Sequence, residues 1–188
     1  MQITLLRHGM PNIDINTRIT ASEFGAWVSQ YNIANLDINC RPPQLAIDQA
    51  NRCTFVMCSN LIRSLESAKI LGLADINASE AMFRELETPY ANWCFPRLSP
   101  GVWAVIFRLM WAAGYSANVE TFGEAKGRAR HCAERLTELA FEHGKILFVG
   151  HGLLNWFISR YLKKMGWAGS RISPRKYWDF AIYHYRAR

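Results

Sequence analysis

Three short apolar runs in this chain each deliver a residue that can handle an anion. Residues 2–6 are mostly apolar and β-prone, as a buried strand is, and Arg7, His8 and Gly9 follow at once. Residues 145–150 form a second such run, after which His151 stands between Gly150 and Gly152. The third, Phe55-Val-Met-Cys58, passes through Ser59 and Asn60 into a helical stretch that carries Arg63. A cation, an imidazole and a glycine at the carboxyl end of a strand sit where open α/β sheets bind ligands. Arginine offers a planar fork of donors that grips phosphate bidentately, for which lysine is a poorer replacement. Taken singly, a histidine after a strand is more often structural, and an arginine on a helix more often solvated. His8 and His151 share the same placement, however, and each touches a glycine.

The order of these motifs resembles the histidine phosphatase superfamily, the phosphoglycerate-mutase-like group of phosphatases and mutases. The resemblance rests on Arg7-His8-Gly9, on Ser59-Asn-Leu-Ile-Arg63-Ser64 with Ser67-Ala68 behind it, and on Gly150-His151-Gly152. It runs from residue 2 to about residue 165. An Arg-His-Gly triplet alone recurs by chance, but three strand-end motifs in the right order form a specific signal. The resemblance implies an α/β fold: a three-layer α/β/α sandwich with a mostly parallel central sheet and a small helical cap. It implies one domain over residues 1–188, with the cap inserted at about residues 88–118.

Phosphoryl transfer is mostly positioning and stabilisation of negative charge. A histidine nucleophile splits hydrolysis into two steps through a phosphorylated intermediate. His8 is the expected nucleophile, with one ring nitrogen neutral and the other tied to a backbone carbonyl. Arg7 and Arg63 are expected to grip the phosphate. His151 would donate to it as an imidazolium stabilised by that anion. Backbone donors near Gly9 and Gly152 would add to the cradle.

The leaving oxygen needs a proton, which a carboxylic acid can give. The family's acid follows a leucine, with a tryptophan often six residues on. Leu86-Glu87 with Trp93 has that spacing, so Glu87 is the expected acid, and Glu85 is the alternative. Other positions depart from the family pattern. Met10, Pro11 and Asp14 stand where polar phosphate contacts are usual, and an ionised Asp14 close to a phosphate would repel it. Arg18 matches a family arginine in spacing. It reads either as a ligand for a second anionic group or as a loop surface residue. Glu120-Thr121 resembles a family Glu-Ser pair, and Thr121 reads either as a substrate contact or as a helix cap.

These groups need elements to hold them. Strands are expected at about 2–7, 54–58, 146–150 and 178–185, the last at an edge of the sheet. Helices are expected from Thr20 or Ser22 to about Asn32, over 44–51, from Ser59 or Asn60 to about Leu71, over 99–113, over about 120–143 and over about 153–164. The stretch 72–98 reads as irregular. Strands alternating with helices imply crossover connections and a largely parallel sheet. In the fourth helix Trp103, Phe107 and Trp111 recur at helical spacing. Such a face is core, a dimer interface, or a wall for an apolar leaving group.

The chain has 188 residues, enough for one substantial core. Half are hydrophobic and 20% are charged, which excludes a disordered chain. The start leads straight into a strand, so no signal peptide is expected, and the most apolar segment, 102–115, is broken by Arg108 and too short to span a bilayer. Five cysteines form no Cys-x-x-Cys pair and no metal-ligand spacing, so no metal or other cofactor and a reducing, cytoplasmic setting are expected. The formal charge of +7 favours anionic ligands. The basic cluster at 171–176 lies in no recognisable nucleic-acid-binding fold. A small phosphorylated substrate, one with an apolar leaving group included, is the expected partner, with no nucleic acid and no membrane, and with a homodimer as one use of the apolar helix face.

The leading expectation is a metal-independent phosphatase that hydrolyses a phosphomonoester through a phosphohistidine on His8. The alternatives are a phosphoglycerate-type mutase and a phosphate-binding or interaction module of low activity. Residues 19–24 do not resemble the mutases' stretch after that arginine, which disfavours the mutase.

Overall fold

A computed structural model of the chain describes residues 1–185. Four strands run parallel: β1 (Gln2–Arg7), β2 (Phe55–Ser59), β3 (Ala78–Glu80) and β4 (Lys145–Gly150). Two antiparallel strands, β5 (Trp167–Gly169) and β6 (Phe180–Tyr185), complete the sheet in the order β3-β2-β4-β1-β6-β5. The expected edge position of the last strand is therefore corrected. β6 lies between β1 and β5, because the short β5 caps the edge beyond it. That three-residue strand carries too little pattern to be read from sequence. The same holds for β3, inside the stretch read as irregular, where a short 3₁₀ turn, Ala81–Phe83, follows at once.

The six α-helices among the described residues fall close to where the sequence places them, the third starting after Leu61 rather than from a Ser59 or Asn60 cap. They are α1 (Ala21–Ile33), α2 (Gln44–Asn51), α3 (Ile62–Ile70), α4 (Pro100–Ala112), α5 (Phe122–His143) and α6 (Gly152–Lys164). Local chemistry sets several ends. Thr20 caps α1 and Glu23 answers it in a capping box, while Thr121 and Glu124 do the same for α5. Pro100 stands in the first turn of α4, where its missing N–H costs nothing.

β1 and β4 are buried along almost their whole length, as strands with helices on both faces must be. One core cluster packs α5 and α6 against the sheet through Ile3, Leu5, Phe148, Leu136 and Ile158. The other face carries Leu6, Val56, Leu147 and Val149 with Ala46, Ala68 and Trp178. A third cluster joins α1 to α4: Phe24 stacks on Phe107 at 5.4 Å, and Trp103 on Phe107 at 5.3 Å. Trp103, Phe107 and Trp111 are thus core. These three side chains pack within the chain, while Val102, Val105 and Leu109 of the same helix are exposed. No helix among the described residues is long and apolar enough to cross a membrane.

Candidate active site

The parallel strands β1, β2 and β4 end side by side, and their register brings Arg7 opposite Gly150. Polar side chains stitch these ends together. Ser67 of α3 accepts from Gly9 N at 2.9 Å and donates to Arg63 O at 2.6 Å. Ser64 donates to Val149 O and accepts from Ser59 N. Asn155 of α6 donates to Leu6 O at 3.1 Å. Gly9 is needed for space, since a Cβ there would lie 2.3 Å from the Trp178 ring. The strand-end serines and glycines are therefore scaffold for the charged groups.

His8 and His151 meet at this point, with ring centroids 5.0 Å apart. Both are buried, at 2% and 0% exposure. His8 Nδ1 lies 2.6 Å from Gly9 O, which accepts its hydrogen. That fixes the neutral tautomer with Nε2 unprotonated. Burial first, then His151, Arg63 and Arg7, lower the His8 pKa well below the usual 6.5. His151 is lowered in the same way, by burial first and then by Arg63 and Arg7. Both rings are neutral at pH 7 in the empty site.

Arg63 is almost wholly buried and donates to Tyr31 O at 3.3 Å and Asn32 Oδ1 at 3.2 Å. Arg7 donates to Arg175 O. Each guanidinium also lies against a phenol ring. Arg7 is 4.2 Å from the centroid of Tyr177, and Arg63 is 4.7 Å from that of Tyr31. Even so, Nε of Arg7, Nε of Arg63 and both ring nitrogens of His151 are buried without a partner. Unpaired buried polar groups are costly, so a cluster of them marks a place built for a ligand. Every potential donor in this cluster suits an anion.

A cavity of about 330 Å³ opens beside Arg7. Glu85, Arg108, Gly152 and Ser173 line it, with Trp156 and Pro174 as apolar wall and Arg175 at its rim. Glu85 accepts from the backbone N–H of Leu153 at 3.2 Å and of Leu154 at 2.9 Å, in the first turn of α6. Arg108 Nε and Ser173 Oγ are buried without partners.

The structure brings together Arg7, His8, Arg63, His151 and Gly152 as the sequence suggests. It does not bring Glu87 to them. After the 3₁₀ turn the chain is irregular, and the side chains of residues 84–87 fall to different sides. Phe83 and Leu86 are buried, Glu85 faces the cavity and Glu87 is exposed. Of the two candidate carboxylates it is therefore Glu85, the alternative, that lines the cavity, and Glu87 does not. Arg18 is exposed and does not line the cavity. Thr121 is spent on its capping box, and Glu120 pairs with Arg128. Asp14 is exposed, accepts from Asn16 N, Thr17 N and the Thr17 hydroxyl, and does not line the cavity. Pro11 is buried in a bridge to Leu36.

Sequence reasoning missed Arg108, Ser173, Arg175, Tyr31 and Tyr177. One signal existed. Arg108 is the single charge in the apolar run 102–115, and a cation there needs a reason. The others are joined to the site only by tertiary structure.

Several solved structures share this fold at low identity. The product of open reading frame Rv3214 of Mycobacterium tuberculosis matches with a TM-score of 0.58 and 18% identity, over 96% of this chain and 89% of that one. Mycobacterial glucosyl-3-phosphoglycerate phosphatase Rv2419c matches with a TM-score of 0.58 and 20% identity, over 87% and 79%. A phosphoserine phosphatase of Entamoeba histolytica, solved with 3-phosphoglyceric acid, gives 0.54 and 15%, over 87% and 80%. No protein-family model and no curated protein matches the chain. What is shared with these structures is the fold, an α/β sandwich around a mostly parallel central sheet.

Proposed function

We propose that the chain is a histidine phosphatase, hydrolysing a phosphomonoester without a metal through a phosphohistidine on His8. One observation carries this reading. The unpartnered buried Arg7 Nε, Arg63 Nε and His151 nitrogens surround a neutral His8 whose Nδ1 is tied to Gly9 O.

The phosphate takes the place between the two arginines and His151. Its charge reverses the field on His151, which then takes up a proton and donates to a phosphate oxygen. The Nε2 lone pair of His8 attacks phosphorus in line with the ester oxygen. The N–P bond forms and the P–O bond breaks. Glu85 gives its proton to the leaving oxygen from the cavity side. Water then attacks phosphorus, Glu85 takes the proton back, the N–P bond breaks and phosphate leaves. The organic group occupies the 330 Å³ cavity, between Trp156 and the cations Arg108 and Arg175. Those two arginines take the part first given to Arg18 of meeting a second negative group. The segment 88–118, with α4, serves as the cap over this side. Two of the structural neighbours, a glucosyl-3-phosphoglycerate phosphatase and a phosphoserine phosphatase, support the same reading.

The test is phosphate release from a panel of phosphorylated metabolites and an aryl phosphate, in the presence of a chelator. Release is expected from the wild type and none from His8→Ala. Release that survives in His8→Ala overturns the nucleophile. Phosphate or vanadate binding with no release from any substrate would favour a mutase or a binding module.

A further inference from the structure

Two like charges in a buried site repel each other, and among the described residues Arg7 and Arg63 have no carboxylate within ion-pair distance. Other groups hold them. Each has the same two supports. One is a backbone carbonyl at an edge of the guanidinium: Arg175 O for Arg7 and Tyr31 O for Arg63. The other is a phenol ring on its face: Tyr177 at 4.2 Å and Tyr31 at 4.7 Å. The two rings come from opposite ends of the chain, one from α1 and one from the segment before β6. The Tyr177 ring also stands 5.7 Å from the His8 ring. Burial first, and the adjoining Tyr177 phenol second, push Tyr31 above its usual range, so it remains neutral.

We propose that Tyr31 and Tyr177 are positioning residues, a pair of aromatic supports that hold Arg63 and Arg7 ready for phosphate before it arrives. A ring face stabilises a guanidinium without using its N–H donors, and the attraction strengthens where water is excluded. The supporting carbonyls take only part of each fork and leave Nε–H free in both arginines. The site then binds an anion with little reorganisation, which is where preorganised donors gain their effect. The inference rests on the phosphate site proposed above, but not on turnover there.

The experiment measures the affinity of inorganic phosphate and vanadate by titration calorimetry. The proteins are wild type, Tyr177→Phe, Tyr177→Leu, Tyr31→Phe and Tyr31→Leu, with thermal midpoints recorded alongside. Phenylalanine keeps the ring face, and leucine keeps bulk without it. Each leucine variant is expected to lose roughly five- to thirtyfold in affinity, the range from an exposed to a desolvated cation–π contact. Each phenylalanine variant is expected to restore most of it, whatever the thermal midpoints do. Should a folded leucine variant bind phosphate as the wild type does, or phenylalanine lose as much as leucine, the supports are only packing and the proposal falls. Tight phosphate binding by a wild type that releases none from any ester would defeat the phosphatase reading alone. A wild type that binds neither anion would remove both.

Discussion

Glu85 and Leu154 are joined by a hydrogen bond of 2.9 Å from the backbone N–H to the carboxylate. With the bond from Leu153, this ties the carboxylate to the first turn of α6, the helix that begins directly after His151. A group so anchored has a fixed place relative to His151, and Glu87, two residues on and exposed, has none. Glu85→Gln is expected to lower kcat for an alkyl phosphate about 10²- to 10⁴-fold, the range of a lost general acid. An aryl phosphate, whose leaving group needs less protonation, should suffer much less. Glu87→Gln should change either rate less than twofold, which steady-state kinetics on the two esters would check.

His8 and His151 make stability depend on pH. Both have folded pKa values well below 6.5, while the unfolded chain titrates near 6.5. Below 6.5 the unfolded state binds more protons, so stability is full above about pH 6.5 and is lost as pH falls. Each histidine contributes a slope of about 1.4 kcal/mol per pH unit in that window. Urea midpoints from pH 7.5 down to 5 should fall more steeply for wild type than for His151→Asn. Equal slopes would mean that His151 is not buried neutral.

Gly9 faces the Trp178 ring so closely that a methyl group has no room. Gly9→Ala is expected to destabilise by about 1–3 kcal/mol, as overpacking does. It should also displace His8, whose Nδ1 depends on the Gly9 carbonyl. Denaturant melts and phosphate release measured on one preparation would show both losses together.

Arg108 lines the cavity proposed for the leaving group, and its buried Nε has no hydrogen-bond partner. Arg108→Gln should reduce kcat/KM for an ester bearing a second negative group roughly tenfold more than for a plain aryl phosphate, the scale of one charge-assisted hydrogen bond. A ratio that does not change would exclude Arg108 from substrate recognition.

The chemistry-bearing strand ends were legible because strand, turn glycine and charged residue lie consecutively in sequence. His8, Arg63 and His151 needed only the knowledge that parallel strands place their carboxyl ends together. The choice between Glu85 and Glu87 was not legible, because it turns on the course of an irregular segment after a 3₁₀ turn, which has no period to read. Spacing to Trp93 misled there, since Trp93 packs near Trp103 and Phe107 rather than at the cavity. Arg18 was lost for a similar reason. Its loop is closed on itself by Asp14 and held by Trp27 at Asp14 O. Tyr177 and Arg175 reach the site only because β6 turns back beside β1. That pairing joins residues far apart in sequence and leaves no local pattern.

The place of β6 also sets an order in time. During synthesis the segment with His8 emerges first, and Arg63 and His151 follow, but β1 lacks its second neighbour until residues 180–184 are made. Ser173, Arg175 and Tyr177 arrive in the same late stretch. A ribosome-bound chain halted at residue 170 would hold every proposed reacting group and neither the Arg7 support nor one wall of the cavity. Competence therefore comes as a single late event, so a truncated product would be inert rather than a loosely selective hydrolase.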